Sequence, residues 1–406
     1  MKSKAGPWMC LVWGLFSTAV VEAQRTLPTP AADAGTATQF DGNFRASRAK
    51  GVEEAYLAKL FRISHAANLV KLKNGDLLCF WFSGTGEGES NVAIVMSRLS
   101  KGSEQWSKTV EIDHQTGKSF QNPVGFQLPG GHLWLLHTSQ PAGEGQTNAE
   151  VLYLTSVDNG QNWSPPRPLF TQPGSFVRQP PVLLSKKMWL LPMYYTPSRT
   201  ITEGAESHYS VVKTTNDGGR HWNECRIPGS NGMVQQSVVR LGAGQFLGLF
   251  RSRYADFIYQ STSHDGCSWT VPAPTRLPNN NSSVQMTLLK DKSLVLAFNN
   301  VNSGTTRDKP RAGSRKPLSI ALSEDGGATW PWVHDIETGG ADSAQDDSKR
   351  GPGNEDYSYP SVLEGPTGKI NVAYTYRRET IKVVRFDKDW IKNGGTTGIF
   401  NGGSAR

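Results

Sequence analysis

Apolar residues along this chain come in short strand-length runs, each following a polar turn, and the arrangement recurs. Lys-Asn-Gly-Asp-Leu-Leu-Cys-Phe-Trp-Phe at 73–82 returns as Gly-Gly-His-Leu-Trp-Leu-Leu at 130–136 and Lys-Lys-Met-Trp-Leu-Leu at 186–191. Three further copies are Gly-Gln-Phe-Leu-Gly-Leu-Phe at 244–250, Lys-Ser-Leu-Val-Leu-Ala-Phe at 292–298 and Gly-Lys-Ile-Asn-Val-Ala-Tyr at 368–374. Each of the six follows another apolar run, such as Ala67-Asn68-Leu69-Val70, so each reads as a hairpin. Helical periodicity is nearly absent.

A second motif, Ser-x-Asp-x-Gly-x-x-Trp, interleaves with the hairpins. Ser156, Asp158, Gly160 and Trp163 match it, as do Ser323, Asp325, Gly327 and Trp330. Thr215, Asp217, Gly219 and Trp222 match with Thr for Ser. Thr262, Gly266 and Trp269 match weakly, with His264 at the Asp position, and Trp106 closes a degenerate first copy. The Trp-to-Trp steps are 57, 59, 47 and 61 residues. Asp and Ser side chains can bond the N–H groups of a turn, Gly supplies a left-handed position, and Trp covers the sheet. The motif is therefore scaffold. A period of this size predicts an all-β, six-bladed β-propeller with four antiparallel strands per blade. It spans 53–390, and a strand from near Glu53–Leu60 completes the last blade. Residues 24–52 read as a linker and 391–406 as a C-terminal tail.

Composition adds a location and a partner class. Residues 1–23 read as a secretory signal peptide: Lys2 and Lys4 precede the apolar stretch Trp8–Val21, and small residues precede Gln24. The expectation is a secreted, extracellular protein with no membrane span. The formal charge of +8 becomes +7 after cleavage, and the basic residues are scattered. That balance suits an acidic glycan, and no nucleic-acid motif is present. No cofactor is expected, and the cysteines fit no metal motif. Cys225 and Cys267, on neighbouring blades, are expected to form a disulfide, with Cys79 buried and free. Sequons place candidate glycosylation at Asn162, Asn280 and Asn281.

Strand alternation puts the turns and Asp motifs on one face and the long polar loops on the other, where function usually sits. That second face carries Arg62, His65, Asn122, Arg178, Gln235, Tyr357 and Tyr359 on crossings between blades. Glu87, Arg251, Arg253, Arg307, Arg311, Arg315, Arg377 and Arg378 lie on the loops. Several arginines converging on one cavity favour a ligand bearing a carboxylate, which a guanidinium fork binds bidentately.

The repeats, the Asp motifs and the order of polar residues resemble the sialidase superfamily, in particular its Asp-box (BNR) repeat, sialidase-like domain. The resemblance covers about 55–390. It implies an exo-α-sialidase-like glycoside hydrolase with three substrate-binding arginines, an acid/base carboxylate and a tyrosine nucleophile paired with a glutamate. Phe61-Arg62-Ile63-Ser64 is similar to the family's first-arginine motif, with Ser for Pro. Arg251 or Arg253 matches the second arginine and Arg315 the third. Glu87 stands at the place of the acid/base Asp, and Tyr357-Ser358 matches the nucleophile. Gln235-Gln236 stands where the family has the glutamate. The resemblance thus implies Glu87 and Tyr357 as catalytic residues. His65 is the candidate for an alternative chemistry, elimination on a uronate-containing polysaccharide. A non-catalytic glycan-binding propeller is the third reading.

Overall fold

The apolar runs are continuous because both faces of the strands they form are covered. In Leu77–Gly84 all eight residues are buried. Leu77, Cys79 and Trp81 pack against Ala373, Ile381 and Val383 on one side. Leu78, Phe80 and Phe82 pack against Phe120, Leu133 and Leu135 on the other. Sheets stacked on each other through both faces, with side chains alternating, make the core a series of interleaved layers.

The computed structural model describes residues 40–197, 205–303, 313–339 and 354–402. The expected signal peptide, and with it the cleavage site, lies outside the described residues, as do Arg307 and Arg311. All described residues belong to one compact unit, and the fold is all-β and propeller-like. Among the described residues no helix is long and apolar enough to cross a membrane.

Among the described residues five hydrogen-bonded sheets form, which corrects the expectation of six separate blades. The first sheet has eight strands and holds the first two copies of the repeat. Asn91–Leu99 and Lys118–Gln127 pair in parallel through Asn91↔Lys118 and Val92↔Ser119, and this short contact fuses two hairpin sets into one sheet. The second sheet is built on Trp189–Tyr195 and has five strands, its innermost strand broken into Ser175–Val177 and Val182–Leu183. Pro180 and Pro181 sit at the break; proline cannot donate to a ladder. Met233–Gly242 to Ala273–Pro278 and Gln285–Leu288 to Trp332–Glu337 form sheets of four strands each.

The last sheet joins an early and a late segment of the described residues. Thr380–Phe386 pairs with Glu53–Tyr56 in antiparallel register, Glu53↔Arg385, and closure of this kind leaves few free edges. The Glu53 carboxylate accepts from Arg385 at 2.9 and 3.0 Å. Residues 40–52, expected as linker, are part of the body: Arg45–Ala46 adds a further strand, and Trp106 N–H donates to the Gly42 carbonyl at 2.9 Å. The expected tail also docks, with Ile391 fully buried and Asn300 bonding Thr396 and the Phe400 carbonyl.

The Asp motifs serve the turns. Ser156 Oγ donates to Asp158 Oδ1 and accepts from Gly160 N–H; Asp158 Oδ1 also accepts from Asn162 N–H. The Asn162 backbone donor and the neighbouring side-chain donors hold the Asp158 carboxyl well below the usual range. The fourth copy is corrected by one residue. Ser263 and Asp265, not Thr262 and His264, take the Ser and Asp roles, because this copy is one residue shorter before Trp269. Cys225 and Cys267 form a disulfide with Cα atoms 5.1 Å apart, joining the second sheet to the third, and Cys79 is buried and free.

Candidate active site

The innermost strands share a local irregularity. Ala66, Asn122, Gln235, Asn281 and Tyr359 all have left-handed backbone, with φ between 50° and 63°. At four of these positions the strand register shifts: between His65 and Asn68, Gln121 and Val124, Val234 and Ser237, and Ser358 and Ser361. A bulge of this kind turns one side chain out of the ladder's alternation. Left-handed backbone is easy for Asn but costly for Gln and Tyr, so Gln235 and Tyr359 are held there by their surroundings.

Tyr359 is the centre of the arrangement. Its ring, partly exposed, is faced by the guanidinium carbons of Arg178 at 5.4 Å, Arg315 at 5.4 Å and Arg251 at 5.6 Å from the ring centroid. Arg251 Nη1 donates to the phenol oxygen at 2.5 Å. The same nitrogen donates to Gln235 Oε1 at 3.1 Å, and Nε donates to Asn281 Oδ1 at 2.9 Å. Gln235 Nε2 in turn donates to the Tyr194 hydroxyl at 3.1 Å. Arg251 is thus anchored by neutral groups, and Tyr359 is the only group among these partners that can carry a negative charge to it. Burial alone would raise the phenol's pKa, and Glu87 adds to that. Arg251, Arg315 and Arg253 outweigh both and bring it from 10 down to about 7. Burial and the neighbouring guanidinium of Arg253 lower Arg251 itself to about 10, against the pull of Tyr359.

The remaining candidates divide between the pocket and the scaffold. Arg315 is buried and donates to Ser282 Oγ at 3.0 Å. Arg253 is buried and reaches Gln146 Oε1 at 3.4 Å. His65 packs its ring 4.3 Å from that of Tyr359, and its Nδ1 lies 2.7 Å from Thr375 Oγ1. Arg178 touches the pocket only through its charge. Its Nε donates to Ser283 Oγ, Nη1 to the Ala67 carbonyl, and Nη2 to the Tyr359 and Pro360 carbonyls, so it ties four parts of the ring together. Glu87 is at the rim and bonds Arg378 Nη1 at 2.8 Å, while Arg378 Nε bonds the buried Asp356 at 2.7 Å. Arg378, with Arg315, brings Asp356 down to about 2 against the cost of its burial.

Four expectations are corrected. Tyr357 is not at the arginines: it pairs with Tyr376 across the strands, their rings 5.4 Å apart, and burial and Glu337 push its hydroxyl up. The bulge after Ser358 is the reason, because it leaves Tyr357 in the sheet stack and turns Tyr359 into the pocket. Arg62 is exposed on the turn before Ile63–Lys71, and no hydrogen bond links it to the cluster; His65 is the residue of that segment that reaches Tyr359. Asn122 holds the bulge position of its own strand but bonds none of these groups. Asn280 and Asn281 are buried, Asn281 against Arg251 and Asn280 against the Ser314 carbonyl, so neither amide is open to a glycan. Asn162 is exposed.

Tyr194, Thr375 and Gln146 escape sequence reasoning, since no motif marks them. Arg378 and Asp356 are visible in sequence only as polar loop residues. A cavity of about 640 Å³ lies elsewhere, lined by residues including Val271, Trp330 and Phe400 and containing no carboxylate, histidine or tyrosine, so it has no comparable chemistry.

Similar folds place this geometry in context. The Hadza microbial sialidase Hz136 superposes with a TM-score of 0.63 at 14% identity, over 81% of this chain and 66% of that one. The NanB sialidase from Streptococcus pneumoniae gives 0.63 at 14% identity, over 82% and 69%. A protein of unknown function from Dyadobacter fermentans gives 0.62 at 16% identity, over 83% of this chain and all of that one. No curated protein matches the sequence. The BNR repeat-like domain matches residues 75–372. With that match over most of its length, the chain belongs to the BNR repeat-like domain family, and its fold is like that of the sialidases above.

Proposed function

We propose that this protein is a secreted carbohydrate-active enzyme that acts on glycans presenting an acidic sugar, with Tyr359 as its reacting group. The observation that carries this reading is a reachable tyrosine bonded to one buried arginine and faced by two more. A guanidinium fork binds a carboxylate bidentately, and Arg251 and Arg315 both face Tyr359, where a sugar carboxylate can meet them. In a hydrolase of sialidase type, the Tyr359 phenolate would attack the anomeric carbon while an acid protonates the leaving oxygen, and water would then release the sugar from the tyrosine. Glu87 is the carboxylate nearest to that second role.

The test is binding and turnover on paired glycans that differ only in a terminal carboxylate. Arg315→Ala is expected to weaken the acidic ligand about a hundredfold, as loss of a buried charge partner does. Arg62→Ala, on the exposed turn, is expected to leave it within about twofold. Equal affinity for the neutral and acidic glycans would sink the reading. So would equal damage from the two variants. Export is tested separately, by N-terminal sequencing of the secreted protein, which is expected to begin at Gln24.

A further inference from the structure

Hydrolysis at this site lacks two of its parts. The group that shares Arg251 with the tyrosine is an amide, Gln235, which cannot take a proton from it. The carboxylate at the rim, Glu87, is spent on Arg378, which Asp356 holds in place from below. For Glu87 to carry a proton to a leaving oxygen, that ion pair must break. Elimination needs neither part. It needs a base, a neutralised carboxylate, and an acid that the base itself becomes once it has taken a proton.

We infer that the pocket cleaves its glycan by β-elimination on a uronate whose C4 oxygen carries the next sugar. This rests on the acidic-sugar reading above and names its substrate class. The Tyr359 phenolate oxygen takes the C5 proton. The electron pair of that bond forms the C4=C5 double bond as the C4–O4 bond breaks. O4 leaves with its electron pair and takes the proton from the Tyr359 hydroxyl, which restores the phenolate. No water, oxidant or metal is consumed. Arg251 and Arg315 hold the carboxylate on which charge builds as C5 loses its proton. His65 is a positioning residue: Thr375 fixes its ring, and the ring packs on Tyr359. Arg251 does for the tyrosine what a neighbouring base does elsewhere, by stabilising the phenolate rather than removing its proton.

The experiment offers the whole protein three 4-linked uronate polymers, a glucuronan, a polygalacturonate and an alginate, beside a sialyl-oligosaccharide, in water enriched in heavy oxygen. The expected result is a product absorbing in the near ultraviolet from at least one polymer, with no heavy oxygen gained. Gln235→Glu separates the two chemistries again. The added carboxylate would pair with Arg251 and repel the phenolate, so elimination should fall about tenfold at neutral pH for each unit by which the phenol rises, and recover in alkali. A saturated uronate or free sialic acid carrying heavy oxygen would overturn elimination yet leave the acidic-sugar reading standing. A faster Gln235→Glu enzyme at neutral pH would also overturn it. No product from any polymer overturns the inference, and if binding is also blind to the carboxylate, the reading beneath it fails with it.

Discussion

Tyr359→Phe is expected to lower turnover by about a thousandfold while the protein still folds and binds its acidic ligand, because general acid–base roles are worth that order. The variant removes one oxygen and leaves the ring on His65 and beneath the arginines. Tyr357→Phe is expected to leave turnover within about twofold, because its ring packs on Tyr376 in the sheet stack and not among the arginines of the pocket. The ionisation makes the test sharper. Tyr359 is depressed to about 7 in the fold, so the reactive phenolate accumulates as pH rises through that value, and kcat/KM should climb on the same limb. Phenolate absorbance should titrate on that limb in the native protein and vanish from it in Tyr359→Phe. By linkage, a group with a depressed folded value adds stability that is fully present above its ordinary 10 and is lost as pH falls through about 7. Turnover that survives Tyr359→Phe and fails in Tyr357→Phe would reverse the assignment. A flat pH profile across neutrality would remove the phenolate.

Arg178→Met should act on the other side of the ledger, on stability. The substitution keeps much of the volume but takes donors from three buried carbonyls, those of Ala67, Tyr359 and Pro360, and from Ser283. At about 1 kcal/mol for each lost partner, the cost is about 3–4 kcal/mol. It should be read as a lower midpoint in denaturant unfolding. Because two of those carbonyls belong to the strand that carries Tyr359, the variant should also broaden the phenolate titration. Arg62→Met, exposed, should change neither. A midpoint unmoved by Arg178→Met would mean that the four bonds do not hold the ring together.

Much of the architecture was legible as pattern. Polar turn, apolar run and Asp motif repeat at a near-constant interval, and each has a local cause: the turn needs Gly and Asn, the run must cover two sheets, and the Ser–Asp pair caps its own turn. Those causes act within about ten residues, which is why the hairpins could be expected; the pairing of Glu53–Tyr56 with the last sheet and the Cys225–Cys267 bond span longer stretches and followed from the order of the repeats, not from a local cause. The shift in the fourth Asp motif was missed because a one-residue deletion moves every role at once. The fusion of the first two repeats was missed because it depends on two parallel pairs that no local signal announces.

The sequence by itself determined which residue types face the pocket: arginines from several repeats, a tyrosine at the last crossing, and a glutamine in place of an acid. Only the tertiary structure decided which of them meet. Tyr357 and Tyr359 have the same spacing to everything local, and alternation would put both on one face. The bulge between them, stabilised by Arg178 from the far side of the ring, sends one into the core and the other to Arg251. Arg178, Arg251, Arg315 and Arg378 are alike in sequence. Their roles differ only because one finds carbonyls, one a phenol, one the ring beside it, and one two carboxylates. Charge and hydrogen bonding act through distance in space, and those distances are set once the sheets have closed.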